Sequence, residues 1–275
     1  MGEGSRRPPP GERLAGRSVL VLGGGQTPGE TIGNGRAASI AFAREGASVM
    51  VVDRERGRAE ATVADIEAEG GLAVPVAADV TDETHCQAVI ARCAARFGSI
   101  DVMHYNVGIA GGDAPPMHLE RSSWERMLEV NTTGFMLCLK HVLPPMRARR
   151  RGVIIAVSSI AALWTYGTTV AYKCSKAAMN ALVQSTAVAN GKYGVRVNAI
   201  LPGLMDTPIG VETTVAATGK TRAQVRAQRD EAVPLDADGT AWDVANAAVF
   251  LASEDARFVT GVCLPVDGGQ SARVG

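Results

Sequence analysis

Tyr172-Lys-Cys-Ser-Lys176 sets a phenol and an ammonium four residues apart. On a helix, positions i and i+4 share one face, so the two side chains lie beside each other. A cation next to a phenol favours the phenolate and draws its pKa down from about 10, toward the range where a general base works at neutral pH. Upstream, the apolar run Val153-Ile-Ile-Ala-Val157 ends in Ser158-Ser159, and Ser159 stands thirteen residues before the tyrosine. A hydroxyl at that place can hydrogen-bond a substrate oxygen.

A second constellation lies near the amino terminus. The stretch GGGQTPGETIGNG, Gly23 to Gly35, follows the apolar run Ser18-Val-Leu-Val-Leu22 and precedes the helix-like run from Arg36 to Glu45. A dinucleotide fold needs glycines here for a tight turn, for close approach of the backbone to pyrophosphate, and for helix-to-strand packing. Gly24, Gly33 and Gly35 are placed for those tasks, but eight residues, Gly25 to Ile32, separate the first two. Alone, the loop is weak evidence that favours a phosphate cradle over a surface loop that merely contains glycines. Asp53 ends the next apolar run and lies eighteen residues after Gly35, near the offset of about 20 for a ribose-binding acid. A carboxylate there accepts both adenosine ribose hydroxyls and repels a 2′-phosphate, which favours NAD over NADP. Arg54 works against that preference, since a guanidinium can pair with a phosphate, and a solvated strand-end aspartate is the plain alternative.

These residues need a frame to hold them. Short β-branched runs at 18–22, 48–53, 73–78, 101–105, 153–158, 195–201 and 262–266 alternate with helical patterns at 34–45, 58–69, 82–97, 120–147, 170–190 and 241–252. Val49-Met-Val-Val52 and the run before Ser158 are continuously apolar, as strands are when helices cover both faces of a sheet. Such alternation predicts an α/β fold: a Rossmann-like, doubly wound parallel sheet of seven strands within a single domain, 18–275. The segment 204–240 breaks the rhythm and is expected to be a substrate lid beyond a strand's carboxyl end. The polar, Pro-rich residues 1–17 are expected to be a disordered leader.

Bulk properties exclude several classes. Twenty-eight basic and 28 acidic residues balance to a formal net charge of zero, which offers nothing to nucleic acid or an anionic membrane. No window approaches the roughly 18 apolar residues of a membrane span. The basic run Arg147-Ala-Arg-Arg-Arg151 is read as a solvated helix end. Five scattered cysteines without a Cys-x-x-Cys pair fit reduced packing thiols in a cytoplasmic protein. Four histidines without ligand spacing leave no metal site expected.

With these motifs in order, the chain resembles a single-domain member of the short-chain dehydrogenase/reductase family over nearly everything after residue 17. The Tyr-x-x-x-Lys pair with a serine thirteen residues upstream carries the resemblance, and that spacing selects Ser159 over Ser158. Asp79-Val80 resembles the family's adenine-contacting pair, and Asn106-Val-Gly108 its turn after the fourth strand. Asn131 in Val130-Asn-Thr-Thr-Gly134 resembles the asparagine of the catalytic tetrad. Pro202-Gly203 with Thr207 resembles the elements that hold the nicotinamide amide, and Val266-Asp-Gly-Gly269 the carboxyl-terminal signature. The chain departs from the pattern at Tyr105, where asparagine is usual, at Asn34, where isoleucine is common, and in its longer glycine loop.

The resemblance implies an NAD-dependent oxidoreductase that interconverts a secondary alcohol and a ketone. Tyr172 would be the acid/base, Ser159 would hold the oxygen, Lys176 would bind the nicotinamide ribose and lower the tyrosine pKa, and Asn131 would hold a proton-relaying water. Gly24, Thr31, Gly33, Asn34, Gly35, Asp53, Arg54, Asp79, Val80, Asn106, Gly108, Pro202, Gly203 and Thr207 would line the cofactor, together with Tyr172 and Lys176. Ser159, Tyr172, Leu204 and Trp164 would face a small-molecule alcohol or ketone, with packing the alternative for Trp164 and Tyr166. A homotetramer or homodimer is implied as well. The rival readings are an NADPH-dependent 3-oxoacyl-thioester reductase acting on acyl carrier protein, which Asp53 and the balanced charge oppose, and a catalytically silent NAD-binding regulator.

Overall fold

The computed structural model describes residues 11–163 and 170–273. The strands are β1 (Ser18–Leu22), β2 (Ser48–Asp53), β3 (Leu72–Ala77), β4 (Val102–Tyr105), β5 (Gly152–Val157), β6 (Val195–Pro202) and β7 (Cys263–Val266). They form one sheet in the order β3-β2-β1-β4-β5-β6-β7, and every neighbouring pair is parallel. The helices are α1 (Asn34–Arg44), α2 (Arg56–Ala68), α3 (Glu83–Phe97), α4 (Arg121–Leu128), α5 (Gly134–Ala148), α6 (Ala171–Asn190), α7 (Pro208–Thr218), α8 (Arg222–Asp230) and α9 (Ala241–Ala252).

Two cores follow from the period-2 alternation of the strands. Val19, Val21, Val49 and Val51 face α1, α2 and α9, whereas Leu20, Leu22, Met50 and Val52 face α3, α5 and α6. All five residues of β1 and all six of β5 are buried, which explains their unbroken apolar runs. After β3 the chain crosses back to place β4 on the other side of β1. The loops after β1 and β4 therefore diverge and leave a crevice at the strands' carboxyl ends, where open α/β sheets bind ligands.

The expected helical segment 120–147 runs without a break from Arg121 to Ala148, with a π-helical turn over Glu129–Thr133 between α4 and α5. Tyr105 accounts for part of this, because its buried phenol donates to the carbonyl of Val130 at 2.8 Å, and a Cβ on Gly134 would come within 2.7 Å of that phenol oxygen. Next, the leader expected through residue 17 joins the fold from residue 11 onward. Leu14 is fully buried, the amides of Gly11 and Leu14 donate to the carbonyls of Arg44 and Glu45, and Arg13 pairs with Glu45 at 2.6 Å. Finally, 204–240 is largely helical, carrying α7 and α8. Neither shows a broad apolar face in the sequence, and their described residues bury little beyond Pro208, Val211 and Val225.

Candidate active site

The floor of the crevice is made by the turn after β1. The amides of Gly23 and Gly24 both donate to the carbonyl of Val52, at 2.8 and 2.9 Å. A Cβ on Gly24 would sit 2.8 Å from Val51 Cγ1 and 2.9 Å from Ser39 Oγ, and one on Gly35 would drive into the Gly23 carbonyl. Those two glycines let the turn press on β2 and α1 press on the turn. Gly33 differs: its amide donates to Gln26 Oε1 at 3.0 Å, while Gln26 Nε2 donates to the Thr31 carbonyl at 3.2 Å. Gln26 thus staples the base of the extended loop, a part that glycine spacing gave no means to find. Glu30 turns outward and pairs with Arg222 of α8. Gln26 and Thr27 line the cleft, and Thr31 does not.

This floor fits a dinucleotide on three observations. Helix α1 starts at Gly33 without a side-chain cap, so its first amides, next to the cleft-lining Asn34 and Gly35, suit an anion. The Asn34 Oδ1 is buried with no protein partner. A Cβ on Gly25 would fall 2.5 Å from Asp53 Oδ2 and 2.7 Å from Arg58 Cβ, so the space against the Asp53 carboxylate exists because residue 25 has no side chain. Asp53 Oδ1 accepts only from the neighbouring Glu55 amide, at 3.0 Å, among the hydrogen bonds described. Further along, Asp79 and Val80 line the same cleft. Burial works to raise the Asp79 pKa, but hydrogen bonds from the Thr81 amide and hydroxyl, with the charges of Arg126 and Arg54, carry it below the usual carboxylate value.

The opposite wall comes from β5 and α6. Ser158 is structural as expected: its amide donates to the Ile200 carbonyl at 2.8 Å and its hydroxyl to that of Lys176 at 3.2 Å. Ser159 points the other way, accepts from the Ala161 amide at 3.1 Å, and shares a hydrogen bond with the Tyr172 phenol. Lys176 Nζ donates to the Val157 carbonyl at 2.9 Å and lies 5.8 Å from the centre of the Tyr172 ring. Burial draws its pKa down to about 8. The expected effect of this cation on the phenol is not seen: burial raises the Tyr172 pKa, and the hydrogen bond with Ser159 only partly offsets it. The ammonium is bound to the Val157 carbonyl and not to the phenol oxygen, so desolvation of the phenolate dominates.

Asn131 lies behind this wall. It is fully buried in the π turn, with Oδ1 accepting from the Ile109 amide at 2.8 Å and Nδ2 donating to the Ile109 carbonyl and to Ser175 Oγ, each at 2.9 Å. Ser175 Oγ in turn donates to the Tyr172 carbonyl at 2.7 Å. The π geometry re-aims one side chain inside an otherwise regular helix. Thr207 caps α7 by accepting from the Gly210 amide at 3.3 Å. A Cβ on Gly203 would fall 2.6 Å from Asp267 Cβ, so the carboxyl-terminal Val266–Gly269 stretch packs directly under the turn after β6.

One cleft of about 800 Å³ joins these parts. Of the residues singled out from sequence, Gly33, Asn34, Gly35, Asp53, Arg54, Asp79, Val80, Asn106, Gly108, Ser159, Tyr172, Lys176, Pro202, Gly203, Leu204 and Thr207 line it, whereas Gly24, Thr31 and Asn131 do not. Trp164 and Tyr166 lie outside the described residues. Ile109, Ala110, Ile160, Leu204, Met205 and Ile209 give the cleft apolar surface. Among the described residues, no helix is long and apolar enough to cross a membrane, and no cluster of three or more His, Cys, Asp or Glu is placed to hold a metal.

Comparison with known proteins agrees with this geometry. A family model described as enoyl-(acyl carrier protein) reductase matches residues 30–271. The chain is 38% identical over 265 residues to the cis-4-hydroxycyclohexanecarboxylate dehydrogenase of Sinomonas cyclohexanicum, covering 95% of this chain and 99% of that one. It is 32% identical to the levodione reductase of Leifsonia aquatica, over 96% and 97% of the two chains. The solved structure of a 7α-hydroxysteroid dehydrogenase complexed with NADH and 7-oxo glycochenodeoxycholic acid superposes with a TM-score of 0.83 at 31% identity, covering 94% of this chain and 95% of that one. A seven-stranded doubly wound sheet, a Ser-Tyr-Lys cleft and full-length similarity to named dehydrogenases and reductases together identify the chain as an oxidoreductase of the short-chain dehydrogenase/reductase family, in its alcohol dehydrogenase and ketoreductase class.

Proposed function

We propose that the chain is an NAD-dependent oxidoreductase that interconverts a cyclic secondary alcohol and its ketone. The observation that carries this reading is one continuous cleft with the Asp53 carboxylate at one end and the Ser159–Tyr172 pair at the other. The first-turn amides of α1 with Asn34 would bind the pyrophosphate, Asp53 the adenosine ribose hydroxyls, and Asp79 with Val80 the adenine. Lys176 would hold the nicotinamide ribose, and Pro202, Gly203 and Thr207 the carboxamide end. Bound there, the nicotinamide supplies hydride chemistry. The chain's own residues orient the substrate and move its proton.

Tyr172 takes the hydroxyl proton in the oxidative direction and returns it in the reductive one, while Ser159 hydrogen-bonds the same oxygen. The structure gives Tyr172 a raised pKa, so the phenol is its resting form and the proton donor of the ketone-reducing direction. Asn131 acts by clamping the backbone of Ile109 to α6 through Ser175, so that the loop after β4 and the tyrosine share one frame. The apolar lining of the cleft supports an alicyclic substrate, and relatives whose printed names include a hydroxycyclohexanecarboxylate and a dichlorocyclohexadienediol point the same way.

The 3-oxoacyl-thioester reductase reading is not favoured, since named relatives are dehydrogenases and reductases of small alcohols and ketones. The test is a screen of NADH and NADPH formation over cyclohexanols, cyclohexanediols, hydroxysteroids, sugars and 3-hydroxyacyl thioesters. Turnover of a cyclic alcohol with NAD is the expected result. Turnover confined to acyl thioesters, or confined to NADP, would refute the reading.

A further inference from the structure

We propose that Asp113 is a positioning residue for Tyr172. This deepens the acid/base reading above and rests on it for its kinetic consequence. Helix α6 begins at Val170 with no side-chain cap of its own, which would leave its first amides unsatisfied beside the cleft. They are satisfied from far away in sequence. Asp113 Oδ1 accepts from the amides of Val170 and Ala171, each at 3.0 Å, and Oδ2 accepts from the amide of Tyr172 itself at 2.8 Å, across 57 to 59 residues. The same carboxylate accepts from the Ala114 amide at 2.9 Å, which fixes it within its own loop. An anion on a helix N-terminus is favoured by the exposed N–H groups and by the macrodipole.

The placement ties two parts of the site together. Asp113 belongs to the loop after β4, whose Ile109, Ala110 and Gly111 line the cleft. That loop is therefore held to α6 at two points, by Asn131 at Ile109 and by Asp113 at the helix start. Asp113 itself does not line the cleft, so it reaches the reacting atoms only through the backbone that carries the phenol. Tyr172 is the second residue of α6, where fraying begins, and its amide is one of the three that the carboxylate holds. A displacement of about 1 Å at a catalytic group can cost on the order of 100-fold in rate.

The experiment compares the full-length Asp113→Ala, Asp113→Asn and Asp113→Glu variants with Asp82→Ala. Asp82 caps α3 by accepting from the amides of Thr84 and His85, so its loss reports the cost of any missing cap. In all variants, the thermal midpoint, NADH affinity by fluorescence, kcat and KM for a cyclic alcohol, and the ring-carbon resonances and phenol titration of labelled Tyr172 are measured, with assignment by Tyr172→Phe. Expected is a fall of about 10- to 100-fold in kcat for Asp113→Ala, with NADH affinity within about twofold. Asp113→Asn should fall between, because it keeps one acceptor oxygen but sets an N–H against that of Tyr172, and Asp113→Glu should recover part of the loss. The Tyr172 resonance and titration should move in Asp113→Ala and stay put in Asp82→Ala. The resonance arm needs no turnover, so it decides the matter even if the proposed reaction is wrong. An unmoved Tyr172 signal, or equal kinetic losses in the two cap variants, would overturn the role.

Discussion

The two walls of the cleft are built from different forces. The β5–α6 wall is buried and largely backbone-bonded: Ser158, Ser175 and Lys176 are buried, and each of the three donates to a main-chain carbonyl. The facing rim is polar and ionic. Arg222 of α8 bridges Glu30 of the glycine loop and Glu212 of α7, while Arg226 pairs with Asp206 at 2.8 Å. These are partly exposed pairs, with Glu30 71% exposed, and each such pair contributes only about 0.2–1 kcal/mol. The difference teaches where each task is placed: the reacting groups sit on a surface that salt and thermal motion barely touch, and the rim over the substrate is held by contacts that can open.

The sharpest way to break the comparison is Tyr172→Phe. Removing the phenol while keeping the ring should lower kcat by about 10³-fold or more and leave NADH fluorescence binding within a few-fold; retained turnover would sink the mechanism. Lys176→Met should cut activity nearly as far, and its stability effect has the opposite sign. Burial lowers the folded pKa of Lys176 to about 8 from 10.5. The unfolded chain therefore binds more protons between those values, and stability rises with pH across that interval. Below pH 8 the cost of the buried cation is present in full, so Lys176→Met should raise the thermal midpoint of the cofactor-free protein near neutral pH, and the gain should shrink as pH climbs toward 10.5.

Asp53→Ala probes the floor between the two walls. It should weaken NAD binding and narrow the ratio of kcat/KM for NAD over NADP by about tenfold, equivalent to about 1.4 kcal/mol. An unchanged ratio would show that Asp53 does not select the cofactor. The smallest effect belongs to the rim. Arg222→Ala should raise substrate KM a few-fold with kcat nearly constant, and wild-type KM should drift the same way with added salt, because Debye screening weakens exposed pairs. A drop in kcat instead would place the rim in the chemistry and erase the contrast.

Much of this was legible beforehand. The strand runs predict the sheet to within about a residue at most ends, because strands covered on both faces leave unbroken apolar runs. Ser159, Tyr172 and Lys176 are singled out by spacing together with the family resemblance, and the fold brings all three to one cleft. Cys174, between Tyr172 and Lys176, was expected to be a packing thiol and is instead exposed, whereas Cys86, Cys93 and Cys138 are buried as expected. The rim was harder to read. Composition marked 204–240 as an excursion, yet its two helices have no strong apolar stripe, and the partner of Glu30 lies nearly two hundred residues away in sequence.

The sequence by itself determined the fold class and the ends of the strands, because these rest on local periodicity, and it singled out Ser159, Tyr172 and Lys176 as candidates, because the family's spacing ties a serine after β5 to a pair one helical turn apart on α6. Tertiary structure alone decided that the Tyr105 phenol donates to the Val130 carbonyl in the π turn, that Gln26 accepts from the amide of Gly33, and that Asp113 caps the helix of Tyr172. The bonds of Tyr105 and Asp113 join segments 25 to 59 residues apart and that of Gln26 closes an irregular loop over seven, and neither kind of hydrogen bond leaves a periodic trace in the order of residues.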